Sequence, residues 1–320
     1  MKRDLLSLKN LNVDEIEVLL LRAQDMKEEL KKNILHQRLK GKTLGLLFEK
    51  ASTRTRVSFE VAMAQLGGHS IFLSTNEIQL MRGETIRDTA RVLSSYLDGL
   101  VIRTFSQDVV EEWAQYATIP VINGLTDMHH PCQILSDLMT IREVKGSLSG
   151  LTLVYFGDGN NVANSLLEGA SKVGMNIIAA CPKGYFPKES IVKEAKEEAA
   201  RQGTRVEVTS NPLEAAKRAD ILYTDAWVSM GQENQRKDVT EIFRPFQVNA
   251  QLVKLASPHA LVMHCLPAHR GEEITDEVME SARSVIYEQA ENRLHFQKAL
   301  LEMLLKDSEK SDRKKSFSGI

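Results

Sequence analysis

The sequence predicts an α/β protein built on two doubly wound parallel sheets. Short aliphatic or β-branched runs alternate with amphipathic stretches from end to end, which is the pattern of parallel strands with covering helices. The 320 residues amount to about two cores of roughly 150 each. Near the middle, one helical stretch ends in a glycine- and serine-containing break.

In the first half the expected strands are Thr43 to Phe48, Ser70 to Leu73, Leu100 to Arg103 and Val121 to Ile122, with helices between them. In the second half they are Leu151 to Phe156, Asn176 to Ala180, Arg205 to Val208, Ile221 to Thr224, Leu261 to His264 and Val285 to Tyr287. Pro131 to Lys145 carries Pro at a first-turn position and Ile134, Leu138 and Ile141 at helical spacing, ahead of Gly146-Ser147-Leu148-Ser149-Gly150. A linking helix and hinge follow from that. A last helix is expected over Gln289 to Leu305. The predicted division is one domain at 1–145, a second at 146–305, and an expected disordered tail at 306–320, too polar to build a core.

Hydrophobic residues at 42% and charged residues at 26% are close to the average for globular proteins. The 41 basic and 43 acidic side chains nearly cancel, to −2, so nothing global attracts nucleic acid or an anionic membrane. Any anion site is local. Cys132, Cys181 and Cys265 are odd in number and widely spaced, which argues against disulfides or a zinc site and fits a reducing compartment. Lys9 and Asp14 interrupt the N-terminus before a signal-type apolar stretch can form. No apolar run reaches the roughly 20 residues that span a bilayer. Cytoplasmic residence is expected.

After the strand Thr43 to Phe48, Phe59, Ala62, Met63 and Leu66 recur at helical spacing until Gly67-Gly68 stops them. Ser52-Thr53-Arg54-Thr55-Arg56 therefore occupies a first helical turn. Free N–H groups, the positive end of the helix dipole, three hydroxyls and two guanidiniums converge where a phosphate fits. Alone, the segment reads more readily as a Ser/Thr cap with two solvated arginines. Arg103 ends a predicted strand, at the edge where open parallel sheets bind ligands. His130 and Gln133 project to the same side at the head of the linking helix, where a neutral His donor is favoured. Singly, Arg103 reads as a surface ion-pair residue and His130 as a structural histidine. Together with the Ser52 segment they favour an anion site.

Phe48-Glu49-Lys50-Ala51-Ser52-Thr53-Arg54-Thr55-Arg56 and His130-Pro131-Cys132-Gln133 resemble the signatures of the aspartate/ornithine carbamoyltransferase family. Asp225-Ala226-Trp227-Val228-Ser229-Met230-Gly231 and His264-Cys265-Leu266-Pro267 resemble its ornithine-specific elements, in the same order, and the likeness covers nearly the whole chain. The resemblance implies transfer of the carbamoyl group of carbamoyl phosphate to the δ-amine of L-ornithine, giving L-citrulline and phosphate. It implies no cofactor and no metal, and a place in arginine biosynthesis or, in reverse, arginine degradation. By the same resemblance Ser52, Thr53, Arg54 and Thr55 hold carbamoyl phosphate, Arg103 bridges its phosphate and carbonyl oxygen, and His130 and Gln133 hold the carbamoyl end. Arg293, on the last helix, returns to touch carbamoyl phosphate. Gln79 reaches the site from a neighbouring subunit, which implies a homotrimer or an assembly of trimers. Asn161 grips the ornithine α-carboxylate, Asp225 and Ser229 the α-ammonium beside the Met230 backbone, while Cys265 and the Leu266 carbonyl face the reacting centre.

Attack of an amine on the carbamoyl carbon creates an oxyanion while phosphate departs, so fixed donors at both places serve the reaction, and Thr55, Arg103 and His130 are candidates. The nucleophile is the neutral amine, although a free alkylammonium has a pKa of roughly 10.4. Cys265 and Asp225 are the groups expected to orient and deprotonate it, the alternative for Cys265 being a small buried residue. Ser229-Met230-Gly231 is expected in a lid, or else in an ordinary surface loop. A dinucleotide fingerprint at Gly157-Asp158-Gly159 fails, because its third glycine falls at Val162 and the next strand ends in Cys181-Pro182 with no acidic residue. A non-catalytic protein of the same fold lacks any reason to retain all these groups. Among acceptor amines, aspartate would need cations for a second carboxylate, whereas this chain offers Asp225.

Overall fold

Among the described residues, the apolar runs form nine parallel strands: β1 (Thr43–Phe48), β2 (His69–Ser74), β3 (Gly99–Arg103), β4 (Val121–Leu125), β5 (Thr152–Phe156), β6 (Asn176–Ala180), β7 (Val206–Thr209), β8 (Ile221–Thr224) and β9 (Leu261–His264). The computed structural model describes residues 2–35, 37–74, 83–228 and 236–306, without the side chains of 236–238. Gln79, Ser229, Met230 and the tail beyond Lys306 lie outside the described residues.

The helices are α1 (Val13–Lys31), α2 (Thr53–Gln65), α3 (Ile86–Tyr96), α4 (Gln107–Tyr116), α5 (Pro131–Lys145), α6 (Asn161–Lys172), α7 (Glu189–Arg201), α8 (Pro212–Ala216), α9 (Arg236–Phe243), α10 (Ala250–Leu255), α11 (Asp276–Met279) and α12 (Ile286–Leu305). The first sheet runs β2-β1-β3-β4 and the second β7-β6-β5-β8-β9. Both orders reverse direction once, between β1 and β3 and between β5 and β8. Ligands of open parallel sheets bind outside the strand C-termini at such points.

Alternation along each strand sends side chains to two faces. Leu44, Leu46, Val101, Leu153 and Tyr155 face one large core, whereas Leu47, Leu100 and Ile102 face a second and Val154 and Phe156 a third. The large core runs through both sheets because α5, α6 and α12 lie between them and contribute Ile134, Leu138, Leu166, Phe296 and Leu300. Full burial of each such side chain contributes about 1.5–3 kcal/mol. This position explains why α5 is buried from Pro131 to Ile141. The helix stops at Gly146, whose φ of 79° suits a residue without Cβ.

Val285 to Tyr287 does not form the expected strand. Ser284 makes a single bridge to Val262, and α12 begins at Ile286, three residues before its expected start. Ile286, Gln289, Arg293 and Phe296 are buried at helical spacing, so packing of one helix face overrides a three-residue aliphatic pattern. The helix then returns across the first sheet's side of the molecule, against α1, α2 and α5. Lys27 fixes that crossing: its ammonium donates to Glu143 Oε1 and Asn292 Oδ1, both at 2.8 Å, joining α1, α5 and α12. Among the described residues, no helix is long and apolar enough to cross a membrane.

The turn after β5 is tight. Gly159 N donates to Tyr185 O at 2.8 Å, and a Cβ on Gly159 would lie 2.2 Å from Pro187 N and 2.3 Å from Phe186 C. Gly159→Ala is expected to destabilise the fold by about 1–3 kcal/mol, read as a lower thermal midpoint. An unchanged midpoint would show that the 185–187 segment yields freely.

Candidate active site

The first half of the site assembles where β1 and β3 lie side by side. Phe48 and Arg103 are register partners, so Arg103 leaves its strand beside the turn that leads into α2. Ser52 caps that helix, its hydroxyl accepting from Thr55 N at 3.4 Å. The N–H groups of Thr53 and Arg54 precede the first helical bond, from Arg56 N to Ser52 O, and point off the helix end. Helix α12 delivers Arg293 to the same place. Its guanidinium donates through Nη2 to Thr55 Oγ1 at 3.2 Å and through Nη1 to Gln133 Oε1. His130, at the head of α5, is held by its backbone N–H donating to Ser165 Oγ at 2.8 Å.

Arg103 and Arg293 are both buried, and each has an Nε without a hydrogen-bond partner among the described residues. Burial, followed by the charges of Arg293 and Arg54, pushes the Arg103 guanidinium down to about 10, so it remains a cation at neutral pH. Burial lowers Arg293 as well. His130 is held well below the ordinary imidazole value, by burial first and then by Arg293, Arg103 and Arg54. It is therefore neutral, and its buried Nδ1 has no partner among the described residues. This is a cationic focus with unspent donors, which an anion would complete.

One expectation needs correction. Arg56 does not converge with Arg54: it donates to Glu60 Oε1 at 2.9 Å and its guanidinium lies 3.7 Å over the Phe72 ring. Residues two apart face different sides of a helix, and the i,i+4 partner captures Arg56 on the outer one. Arg54 alone turns toward the site, where burial lowers its pKa and Cys265 and Asp225 partly offset that.

The second half of the site stands at the other switch point. Phe156, Thr224 and His264 are in register across β5, β8 and β9, so Gly157, Asp225 and Cys265 leave the sheet together. Asp225 Oδ1 accepts from the Cys265 thiol at 2.9 Å and from Ala226 N at 2.8 Å, while Oδ2 accepts from Asn160 Nδ2 at 2.8 Å. Burial, then the Asp225 charge, raises the Cys265 thiol well above its ordinary value. It is a donor, not a thiolate. Leu266 has a φ of 59°, uncommon for a residue with a side chain, and its N–H donates to His264 Nδ1 at 2.8 Å. With Nδ1 accepting, His264 carries its proton on Nε2, which meets Glu273 Oε1 at 3.1 Å. Asp225, His264 and Cys265 bring their ligand atoms within 4.8 Å of one another, but both nitrogens of His264 are spent on these bonds.

Among the expected residues, Ser52, Arg54, Thr55, Arg103, His130, Gln133 and Arg293 thus gather at the first half, and Asp225, Cys265 and Leu266 at the second. Thr53 is exposed at the helix head. Asn161 stands apart from the Asp225 cluster, donating instead to Thr126 O at 2.6 Å. The residue that touches Asp225 is Asn160, which also caps α6 by accepting from Val162 N and Ala163 N at 3.0 and 3.2 Å. The Asn160-Asn161 doublet before a helix was a signal for this, since a cap is required there. Asp137 was also missed, although it lies four residues from Gln133 on one helix face.

Known proteins resemble this chain along nearly its whole length. The family profile described as "Aspartate/ornithine carbamoyltransferase, carbamoyl-P binding domain" matches residues 3–143, and "Aspartate/ornithine carbamoyltransferase, Asp/Orn binding domain" matches 149–304. An ornithine carbamoyltransferase of Anoxybacillus flavithermus is 56% identical, over 95% of this chain and 96% of its own. A Pyrococcus furiosus relative described as "Ornithine carbamoyltransferase, anabolic" is 53% identical over 95% and 96%. A solved ornithine carbamoyltransferase structure from Pyrococcus furiosus superposes with a TM-score of 0.93 at 53% identity, covering 95% of this chain and 97% of that one.

Burial and the Asp225 carboxylate make Cys265 a slow nucleophile. At pH 8, alkylation of Cys265 by iodoacetamide is expected to lag a free thiol by at least about tenfold, and to accelerate as pH rises. Peptide-resolved mass spectrometry reads the rate; labelling as fast as free cysteine would contradict the assignment.

Proposed function

This chain belongs to the aspartate/ornithine carbamoyltransferase family, and on that premise we propose how its two half-sites share the reaction. It transfers the carbamoyl group of carbamoyl phosphate to the δ-amine of L-ornithine, giving L-citrulline and phosphate. The observation that carries the assignment of roles is the cationic focus of Arg54, Arg103 and Arg293 facing the Cys265–Asp225 pair.

Carbamoyl phosphate binds with its phosphate at the head of α2, against Ser52, Thr53, Arg54 and Thr55. Arg103 spans from the phosphate to the carbonyl oxygen, and Thr55 and neutral His130 donate to that oxygen as it becomes an oxyanion. Gln133 and the Leu266 carbonyl hold the carbamoyl amino group, and Arg293 closes the site from α12. The amine nitrogen attacks the carbonyl carbon, the bond from that carbon to the bridging oxygen breaks, and phosphate leaves with the electron pair. Cys265 and Asp225 orient the attacking nitrogen, with Asp225 the acceptor for the proton it sheds. The thiol's bond to Asp225 supports an orienting role over a covalent one. Asn161 takes the ornithine α-carboxylate after exchanging its bond to Thr126, and Asp225, Ser229 and the Met230 backbone take the α-ammonium.

The catalytic unit is a homotrimer, or an assembly of trimers, completed by Gln79 of a neighbouring subunit, and it works in the cytoplasm. Residues 1–145 form the carbamoyl-phosphate domain and 146–305 the ornithine domain, with α12 packing back on the first. The profile matches at 3–143 and 149–304 support that boundary. The anabolic description of the Pyrococcus furiosus relative supports the citrulline-forming direction.

Phosphate release, measured with carbamoyl phosphate and each of ornithine, aspartate, putrescine and acetylornithine, tests the acceptor: ornithine is expected to exceed every other. Arg103→Ala is expected to lower kcat about a hundredfold with a smaller change in carbamoyl-phosphate affinity, because its donor counts most in the transition state. Equal release with another amine, or an unchanged kcat, would overturn the corresponding role.

A further inference from the structure

Asp137 lies one helical turn beyond Gln133 on α5 and is wholly buried. Three side chains from three elements converge on its carboxylate. Oδ1 accepts from Gln133 Nε2 and from Gln289 Nε2, each at 2.8 Å, and Oδ2 accepts from Tyr223 OH at 2.8 Å. Gln289, on α12, turns its amide oxygen to His264 N at 2.9 Å, and Tyr223 stands on β8 two residues before Asp225. The carboxylate thus joins α5 to both strands that carry the second half of the site.

An amide has one accepting end and one donating end, and their assignment matters here. Gln133 must give its oxygen to Arg293 Nη1, because a guanidinium only donates. Its nitrogen then needs an acceptor in a buried place, and Asp137 supplies one. Burial lifts the Asp137 carboxyl to about 6 while the three donors oppose the rise, so it is ionised at neutral pH. Asparagine is a poor probe of this role, because its oxygen can still accept from both amides and its NH₂ can donate to the Tyr223 hydroxyl. Leucine, of similar shape, offers no acceptor to any of the three donors.

We propose that Asp137 is a positioning residue that fixes the orientation of the Gln133 amide and, through Gln289, the His264–Cys265 backbone, so that the carbamoyl group and not the phosphate is what it helps to bind. This rests on the reading of Gln133 as a carbamoyl contact. In the absence of the carboxylate, the Gln133 nitrogen has no acceptor, the amide swings away to find one, and the oxygen that accepts from Arg293 and the carbamoyl amino group leaves its place.

The test compares two ligands that share a phosphate and differ in the carbamoyl group. Calorimetric titration of the intact protein with inorganic phosphate and with carbamoyl phosphate is done for wild type, Asp137→Leu and Tyr223→Phe, with thermal midpoints and kcat recorded for each. For Asp137→Leu, carbamoyl-phosphate affinity is expected to fall at least about tenfold and kcat with it, while phosphate affinity stays within about twofold. A role confined to stability would lower the midpoint and leave the affinity ratio unchanged. Tyr223→Phe removes one donor and little volume, so it keeps the test available if Asp137→Leu does not fold; the same selective loss is expected at about two- to threefold. Equal loss for both ligands, or loss for neither, overturns the proposal. Ornithine-dependent phosphate release by the wild type is the control: its absence would refute the reading of the site itself, whereas its presence without selective loss refutes only the role of Asp137.

Discussion

Desolvation of buried guanidiniums, with mutual repulsion added to it, is the constraint on which the rest depends. Arg103 and Arg293 are removed from water and lie within each other's field, with Arg54 beside them. Concentrating cations in this way costs the folded state stability and is tolerated because the surrounding elements hold them rigidly. Register between β1 and β3 sets Arg103 next to the head of α2. The long return of α12, locked by Lys27 to α1 and α5, sets Arg293 against Thr55 and Gln133. A phosphate dianion is the chemical complement of such an arrangement.

The second half-site follows different physics. Its charge centres on Asp225, surrounded by neutral donors from Asn160, Cys265 and its own backbone, while burial and then the Asp225 charge raise the nearby Asp158 carboxyl to about 6. This suits an ammonium-bearing acceptor that must reach the site as a cation and react as an amine. Since Arg54 feels the Asp225 charge, the two halves are already in electrostatic contact. Asp137 joins them mechanically, as a buried carboxylate satisfied from α5, β8 and α12.

Much of this was legible in the sequence. Strands β1, β6, β8 and β9 and helix α5 coincide with the expected runs, because sequestered parallel strands and a doubly covered helix leave strong apolar patterns. Val285 to Tyr287 misled because three aliphatic or aromatic residues carry no period, and burial of one α12 face decided the outcome. Helical spacing located Ser52 to Arg56 at a helix head, yet could not foresee that Glu60 and Phe72 would draw Arg56 away. Asn160 and Asn161 are chemically identical neighbours, and only the backbone at the start of α6 tells the cap from its follower. Gln289 left no trace beyond a polar residue on an apolar helix face, since its partners Asp137 and His264 N are distant in sequence.

The central claim is that Arg293 is retained for the ligand at the expense of the fold. Arg293→Met, which keeps most of the side-chain volume and removes the buried charge, separates the two by calorimetric titration with carbamoyl phosphate alongside the thermal midpoint. Affinity is expected to fall at least about tenfold while the midpoint holds or rises. Unchanged affinity in a folded variant would contradict the account.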